Sequence, residues 1–283
     1  MALNDVRIAL TEARRLLQNV ESNVGDVPVV VIFDVGANNG RWSDAVMRYL
    51  SKPSNIGRQT ALRRTRLMMF EPQPRYRAAL KSIADNWNGT HMPVAAWFEQ
   101  TNLTFHVGGN SEAASLVKAN TMAHAARLGV ATIRNVTVPA IDFAAFLRYN
   151  AAPPSPGGLT IVKIDVEAAE YNLLPHLLLT GALCHADHLL IEWHLNALPA
   201  KERLSGLGLR LALQHVLKRC PSAPKVVEQV PSMGNEYEPV PGLNEEASRH
   251  NYSVLLSLLE QQKIAPRGQR APFAPWNQVH AEE

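Results

Sequence analysis

The residues with chemistry to offer cluster at strand ends. Asp34-Val35-Gly36-Ala37-Asn38-Asn39-Gly40 joins a carboxylate to a glycine turn. Glu71 follows the apolar run Leu67–Phe70, Asp165, Glu167 and Glu170 follow Leu159–Ile164, and Glu192 and His194 flank Trp193. Gly36 and Gly40 permit a tight turn and a close approach between ligand and backbone. The spacing is not the G-x-G-x-x-G of dinucleotide binders, because Asn38 stands where the second glycine would be. A carboxylate at the mouth of such a turn repels a pyrophosphate and attracts an ammonium or a sulfonium. Asp34 beside this loop therefore favours S-adenosylmethionine over NAD or a nucleotide. Glu71 is then placed to accept hydrogen bonds from a ribose diol.

The second group suits proton transfer. Imidazole has an ordinary pKa of about 6.5, so His194 is the expected general base, with Asp165 and Glu192 beside it. The same three side chains could hold Mg²⁺ or a similar hard cation. A metal-free site is the preferred reading, and no H-x-E or Cys-rich spacing marks zinc. Trp193 is placed to offer an aromatic face to a sugar ring. Cys184 and Cys220 have no companion pattern and read as buried thiols.

These residues need elements to hold them. Pro28–Phe33 and Leu159–Ile164 are continuous apolar runs of strand length, which marks strands buried on both faces of a parallel sheet. Leu67–Phe70 and Leu189–Trp193 read as further strands. Pro93–Trp97, Leu103–Val107 and Val136–Ile141 read as shorter ones. Helices are expected over 5–20, where Val6, Leu10, Ala13, Leu17 and Val20 form one stripe behind Asn4 or Asp5 as cap. Others follow at 41–50, 75–83, 143–149 behind Asp142, from Ala168 onward, and 202–217. The alternation predicts an α/β fold with an open, doubly wound, mostly parallel sheet and helices on both faces. In such sheets ligands lie beyond the carboxyl ends of the strands, where the strand order reverses.

Composition closes off several function classes. The 283 residues are 46% hydrophobic and 19% charged, with a formal net charge of +3, which excludes disorder as the main state. Two cysteines cannot make a disulfide scaffold. No apolar run reaches the about 18 residues of a membrane span. The N-terminus has no apolar core of a signal peptide, which favours the cytoplasm. Without a strong basic bias or an Asn/Asp-Pro-Pro-aromatic motif, no nucleic-acid partner is expected. The oligomeric state stays open.

Taken together, several segments resemble the FkbM-type methyltransferases, class I S-adenosylmethionine-dependent enzymes with a Rossmann-like fold. They are Phe33–Gly40, Phe70-Glu-Pro-Gln-Pro74, Ser111–Leu116, Val138–Asp142, Lys163-Ile-Asp-Val-Glu-Ala-Ala-Glu170 and Ile191-Glu-Trp-His194. The resemblance spans residues 28–195 and implies methyl transfer to a hydroxyl of a small molecule or glycan. It implies that Asp34, Gly36, Ala37, Asn38 and Gly40 line the methionine end of the cofactor. Glu71 would hold the ribose, and Asp165 would close the site. Ala168 departs from the glycine usual there, and Asn39 from an apolar residue. The methyltransferase domain is set at 28–264, after an N-terminal helical segment at 1–27 and before a Pro-rich tail at 265–283. Two other classes stay open: a non-catalytic binding module that keeps the cofactor fold, and an oxidoreductase.

Overall fold

A run buried on both faces can only be an inner strand, and the computed structural model places Val30–Val35 at the centre of the main sheet. The structure describes residues 6–19, 29–52, 63–108, 114–116, 133–153 and 157–229. The expected caps Asn4 and Asp5, Val20, part of 111–116 and the tail at 265–283 lie outside the described residues. In chain order the first elements are α1 (Arg7–Asn19), β1 (Val30–Val35), α2 (Arg41–Leu50), β2 (Thr65–Phe70), α3 (Arg77–Trp87), β3 (Thr90–Met92) and β4 (Ala95–Trp97). There follow β5 (Thr101–Gly108), β6 (Ala114–Ser115), β7 (Ile133–Asp142), α4 (Phe143–Asn150), β8 (Leu159–Ile164), α5 (Glu170–Leu179), β9 (His188–Glu192), α6 (Ala200–Leu217) and β10 (Lys225–Gln229).

The main sheet has the order β10-β9-β8-β1-β2-β3, and every neighbouring pair is parallel. The chain builds outward from β1 through β2 to β3, then returns to the other side of β1 with β8. The order therefore reverses between β1 and β8. Alternate residues of the inner strands serve the two faces. Phe33, Phe70, Val162 and Ile191 pack with α4 and α5 on one face. Ile32, Met69, Ile161 and Leu190 pack with α1, α2 and α3 on the other. Phe33 and Phe70 each meet Phe143 and Phe146 edge to face, which locks α4 against the sheet. The stripe Val6, Leu10, Ala13 and Leu17 is buried as expected, so α1 belongs to the second of these cores. Asp142 caps α4 by accepting from the Ala145 N–H at 3.0 Å.

The shorter strands do something the periodicity of the inner strands did not foretell. β4, β5, β6 and β7 form a second sheet of order β4-β7-β5-β6, in which β5 runs antiparallel to β6 and β7. The burial of β5 alternates over its first half, the pattern of a sheet with one wet face. Phe105, Val107, Val138 and Ala140 form its own small core with Trp97 and Ala169. Ala169, just beyond the exit of β8, ties this sheet to the carboxyl end of the main one.

The two cysteines correct an expectation. They are not buried thiols: Cys184 and Cys220 are joined in a disulfide. Cys184 lies in the turn before β9 and Cys220 after α6, so the bridge ties together the segments that lead into β9 and β10. α6 is unbroken through Gly206, where a Cβ would come within 2.9 Å of Leu198 and Tyr171. Glycine there lets α6 close on its neighbours.

The bridge spans 36 residues, and closing a loop of that size in the unfolded chain is worth about 3–4 kcal/mol. A Cys184→Ser/Cys220→Ser variant should lose stability on that scale in urea melts. A loss below about 1 kcal/mol would show that the bridge does not constrain the unfolded chain.

Candidate active site

Beyond the ends of β1 and β8, where the strand order reverses, lies a cavity of about 290 Å³. One wall is polar and carries Asn38, Glu71, Gln73, Asp165, Glu167 and Glu192. The other is apolar and comes largely from the second sheet, with Val94, Trp97, Leu103, Phe105 and Leu116. Main sheet and second sheet thus each contribute a face.

The turn after β1 is built by close contacts. Gly36 has φ +82°, and a Cβ on it would lie 1.8 Å from the carbonyl oxygen of Asp165. The exits of β1 and β8 touch backbone to backbone at this point, and only glycine fits. The N–H groups of Gly36 and Ala37 both donate to the Phe70 carbonyl, at 3.0 and 2.9 Å. Asn38 takes a left-handed conformation and its side chain accepts from the Asn39 N–H at 2.7 Å. Gly40, φ +77°, precedes α2 and lies so near α3 that a Cβ would meet Ile83 at 2.4 Å. Of the five loop residues expected at the cofactor, Gly36 and Asn38 line the cavity. Ala37 is packed in the core, and Gly40 lets two helices meet.

Asp34 is displaced from its expected role. It is fully buried, with one oxygen accepting from Ser43 Oγ at 2.6 Å and the other from Lys163 Nζ at 3.0 Å. Register explains the pairing. Asp34 on β1 lies directly beside Lys163 on β8, so both side chains leave the same face of the sheet. Lys163 also donates to the Gly36 carbonyl at 3.2 Å and reaches Asp165 Oδ2 at 3.1 Å. All three ammonium protons have acceptors. Burial opposes the charge on Lys163, but Asp165 and Asp34 outweigh it and hold the ammonium's pKa above its ordinary value. Asp165 is held below the usual carboxylate range, because Lys163 and then His194 overcome its own burial.

Glu71 holds two loops. Its Oε2 accepts from the Asn38 N–H and its Oε1 from the Gln73 N–H, both at 2.9 Å. It is 4% exposed, and burial pushes its carboxyl up to about 7 despite these two donors. Gln73 Oε1 is buried beside it without a hydrogen-bond partner among the described residues.

His194 sits among three carboxylates. Its Nδ1 lies 3.2 Å from Glu170 Oε1, which also accepts from the His194 backbone N–H at 2.7 Å. Its Nε2 lies 3.9 Å from Asp165 Oδ1 and 3.8 Å from Glu167 Oε2. Burial disfavours the imidazolium, but Glu170, Glu167 and Asp165 together outweigh it and push the pKa up to about 10. The residue expected as general base thus stands among three carboxylates that favour a positive charge at that place. The expectation for Trp193 is corrected. It is buried and donates from Nε1 to Glu228 Oε1 at 2.9 Å, so it offers no face to a sugar.

The methyltransferase FkbM domain matches this chain over residues 34–237. The chain belongs to the FkbM methyltransferase family. No curated protein and no solved structure gives a significant match.

The FkbM match begins at Asp34 and takes in every residue of the cavity wall named above. Ala168, where the family usually has glycine, has φ +76°, which is why glycine suits the position. Glu167 beside it is also left-handed, at φ +51°. Lys163 is the residue the sequence reading passed over, although it lies inside a recognised FkbM motif. Its signal was a single charge in a strand otherwise apolar or β-branched. Gln73 was likewise given no part, and Glu167 was named among the chemically able residues without a role of its own.

Two outcomes follow from these environments. Lys163→Met leaves Asp34 buried without its cation and should cost about 3–5 kcal/mol in urea unfolding, whereas a loss under 1 kcal/mol would deny the network its structural role. Glu71 is raised from 4.5 to about 7 in the folded chain, so the folded state binds the extra proton. Stability of the ligand-free protein should therefore be greatest below about pH 4.5 with respect to this group and fall as pH rises through 7, by about 3 kcal/mol at most. In Glu71→Gln that part of the slope should vanish from melts taken across pH 5–8.

Proposed function

We propose that the protein transfers a methyl group from S-adenosylmethionine to a hydroxyl oxygen of a small molecule or saccharide. The observation that carries this is the pair Glu71 and Gln73 on the polar wall. They are two buried acceptors side by side, one of them without a donor among the described residues. Ribose hydroxyls supply the donors such a pair lacks. The wall's charge supports the same reading by a different route from the one expected. Asp165, Glu167 and Glu192, and not Asp34, present carboxylates to the cavity. They disfavour a pyrophosphate and favour an ammonium and a sulfonium.

When bound, the cofactor supplies an electrophilic methyl group on sulfur. The chain's residues do the rest by placement. Glu71 and Gln73 accept the ribose hydroxyls, and Gly36 lets the ligand approach the backbone of the β1 turn. Asn38 covers the turn, its N–H held by Glu71. Lys163 fixes Asp165 relative to Gly36, which sets the distance between the cofactor side and the acceptor side. Asp165 and Glu192 line the acceptor side, and His194 stands next to Asp165. A carboxylate of this wall receives the hydroxyl's proton as the new bond forms. The apolar wall from the second sheet takes the body of the acceptor.

Among the described residues no helix is long and apolar enough to cross a membrane. The Cys184–Cys220 bridge is a feature of oxidising compartments and pulls against a cytoplasmic location.

The reading is tested by calorimetry with S-adenosylmethionine, S-adenosylhomocysteine and NAD. The first two should bind and the third should not. Charge-assisted hydrogen bonds from two hydroxyls make Glu71→Ala at least about tenfold weaker. Binding of NAD alone, or unchanged affinity in Glu71→Ala, would overturn the assignment.

A further inference from the structure

We propose that Asp165, Glu167 and His194 form a binding site for a divalent cation on the acceptor side of the cavity. One donor atom from each lies within 4.8 Å of the others. The spacing is informative. His194 Nε2 stands 3.9 Å from Asp165 Oδ1 and 3.8 Å from Glu167 Oε2. Those distances are too long for hydrogen bonds. They suit ligands on one ion, since two bonds of about 2.1 Å set at a wide angle place their donors nearly 4 Å apart.

The surroundings fix the ring for that purpose. Glu170 Oε1 takes both Nδ1 and the backbone N–H of His194, so the imidazole cannot turn and Nε2 is the nitrogen presented to the two carboxylates. A carboxylate behind a ligating histidine is the usual outer partner in metal sites. Glu170 is wholly buried, and its second oxygen has no hydrogen-bond partner among the described residues. Lys163, the cation that reaches Asp165, is shared with Asp34.

One nitrogen and two carboxylate oxygens describe a hard to borderline ion, such as Mn²⁺ or Mg²⁺, with coordination positions left over. Asp165 and Glu167 both line the cavity, so those positions open toward it. There an oxygen of the acceptor can replace a water. The sequence reading held such a cation as second choice and gave it Glu192; the geometry gives it Glu167. The site itself stands apart from the cofactor assignment, while its link to the acceptor rests on that assignment.

Mn²⁺ is the probe, titrated into the whole protein without cofactor and followed by electron paramagnetic resonance and calorimetry. One saturable site is expected, weakened at least tenfold in both Glu167→Gln and His194→Gln, with circular dichroism confirming that the variants fold. Mg²⁺ should compete for it. No saturable binding, or binding unaltered in both variants, would overturn the proposal. If Mn²⁺ binds as expected but S-adenosylmethionine does not, the cation site stands and the proposed function falls.

Discussion

The ammonium of Lys163 is buried between Asp34 and Asp165, and the arrangement of the cavity depends on it. Burying three charges adds little net stability, because the loss of hydration roughly cancels the attraction. What the network supplies is position. β1 and β8 are neighbours in the sheet, yet their exits lead in opposite directions, toward α2 and toward α5. Lys163 grips the first exit through Asp34 and the Gly36 carbonyl, and the second through Asp165. Gly36 allows the two backbones to touch. Two loops that would otherwise move independently are held as one edge of the cavity.

A second link extends that edge to β2. The Gly36 and Ala37 N–H groups lie on the Phe70 carbonyl, and Glu71 holds the Asn38 N–H. Three strand ends are therefore joined by hydrogen bonds that involve no helix. The carboxylate of Glu71 serves two ends here. It joins the loops in the ligand-free protein and, under the proposed function, accepts the ribose diol. Its elevated pKa reflects that double use, since a group buried for structure has lost the water that would keep it ionised.

Much of this was legible in the residues, and the failures have physical causes. The inner strands announce themselves because burial on both faces forces continuous apolar runs, as in Val30–Phe33 and Leu159–Val162. The FkbM family was legible for the same reason, since its motifs sit at the exits of those strands. Asp34 was placed on the right element with the wrong partner. A sequence shows that a carboxylate ends a strand, but not that the register sets a lysine beside it. His194 was read at its solution pKa because the carboxylates around it come from another segment, the exit of β8. The disulfide needed Cys184 and Cys220 brought together across 36 residues, which only the packing of α6 accomplishes. The second sheet was hidden because β5 and β7, though long, are wet over much of their length, and the sequence does not show which strands pair.

That second sheet sets the character of the cavity's other wall. The main sheet alone would leave the strand ends open to water, with carboxylates in a solvated row. β4 and β5 place Trp97, Leu103 and Phe105 opposite them, so the charged wall faces an apolar one across a narrow space. Low polarity on one side strengthens every electrostatic contact on the other. Under the proposed function, the acceptor's hydroxyl lies toward Asp165 and Glu192 and its apolar surface toward Trp97. A wholly polar ligand would desolvate against the second sheet without compensation. The division between the two sheets thus gives the cavity a polar and an apolar side, and the apolar side comes from the part of the chain that is not the parallel core.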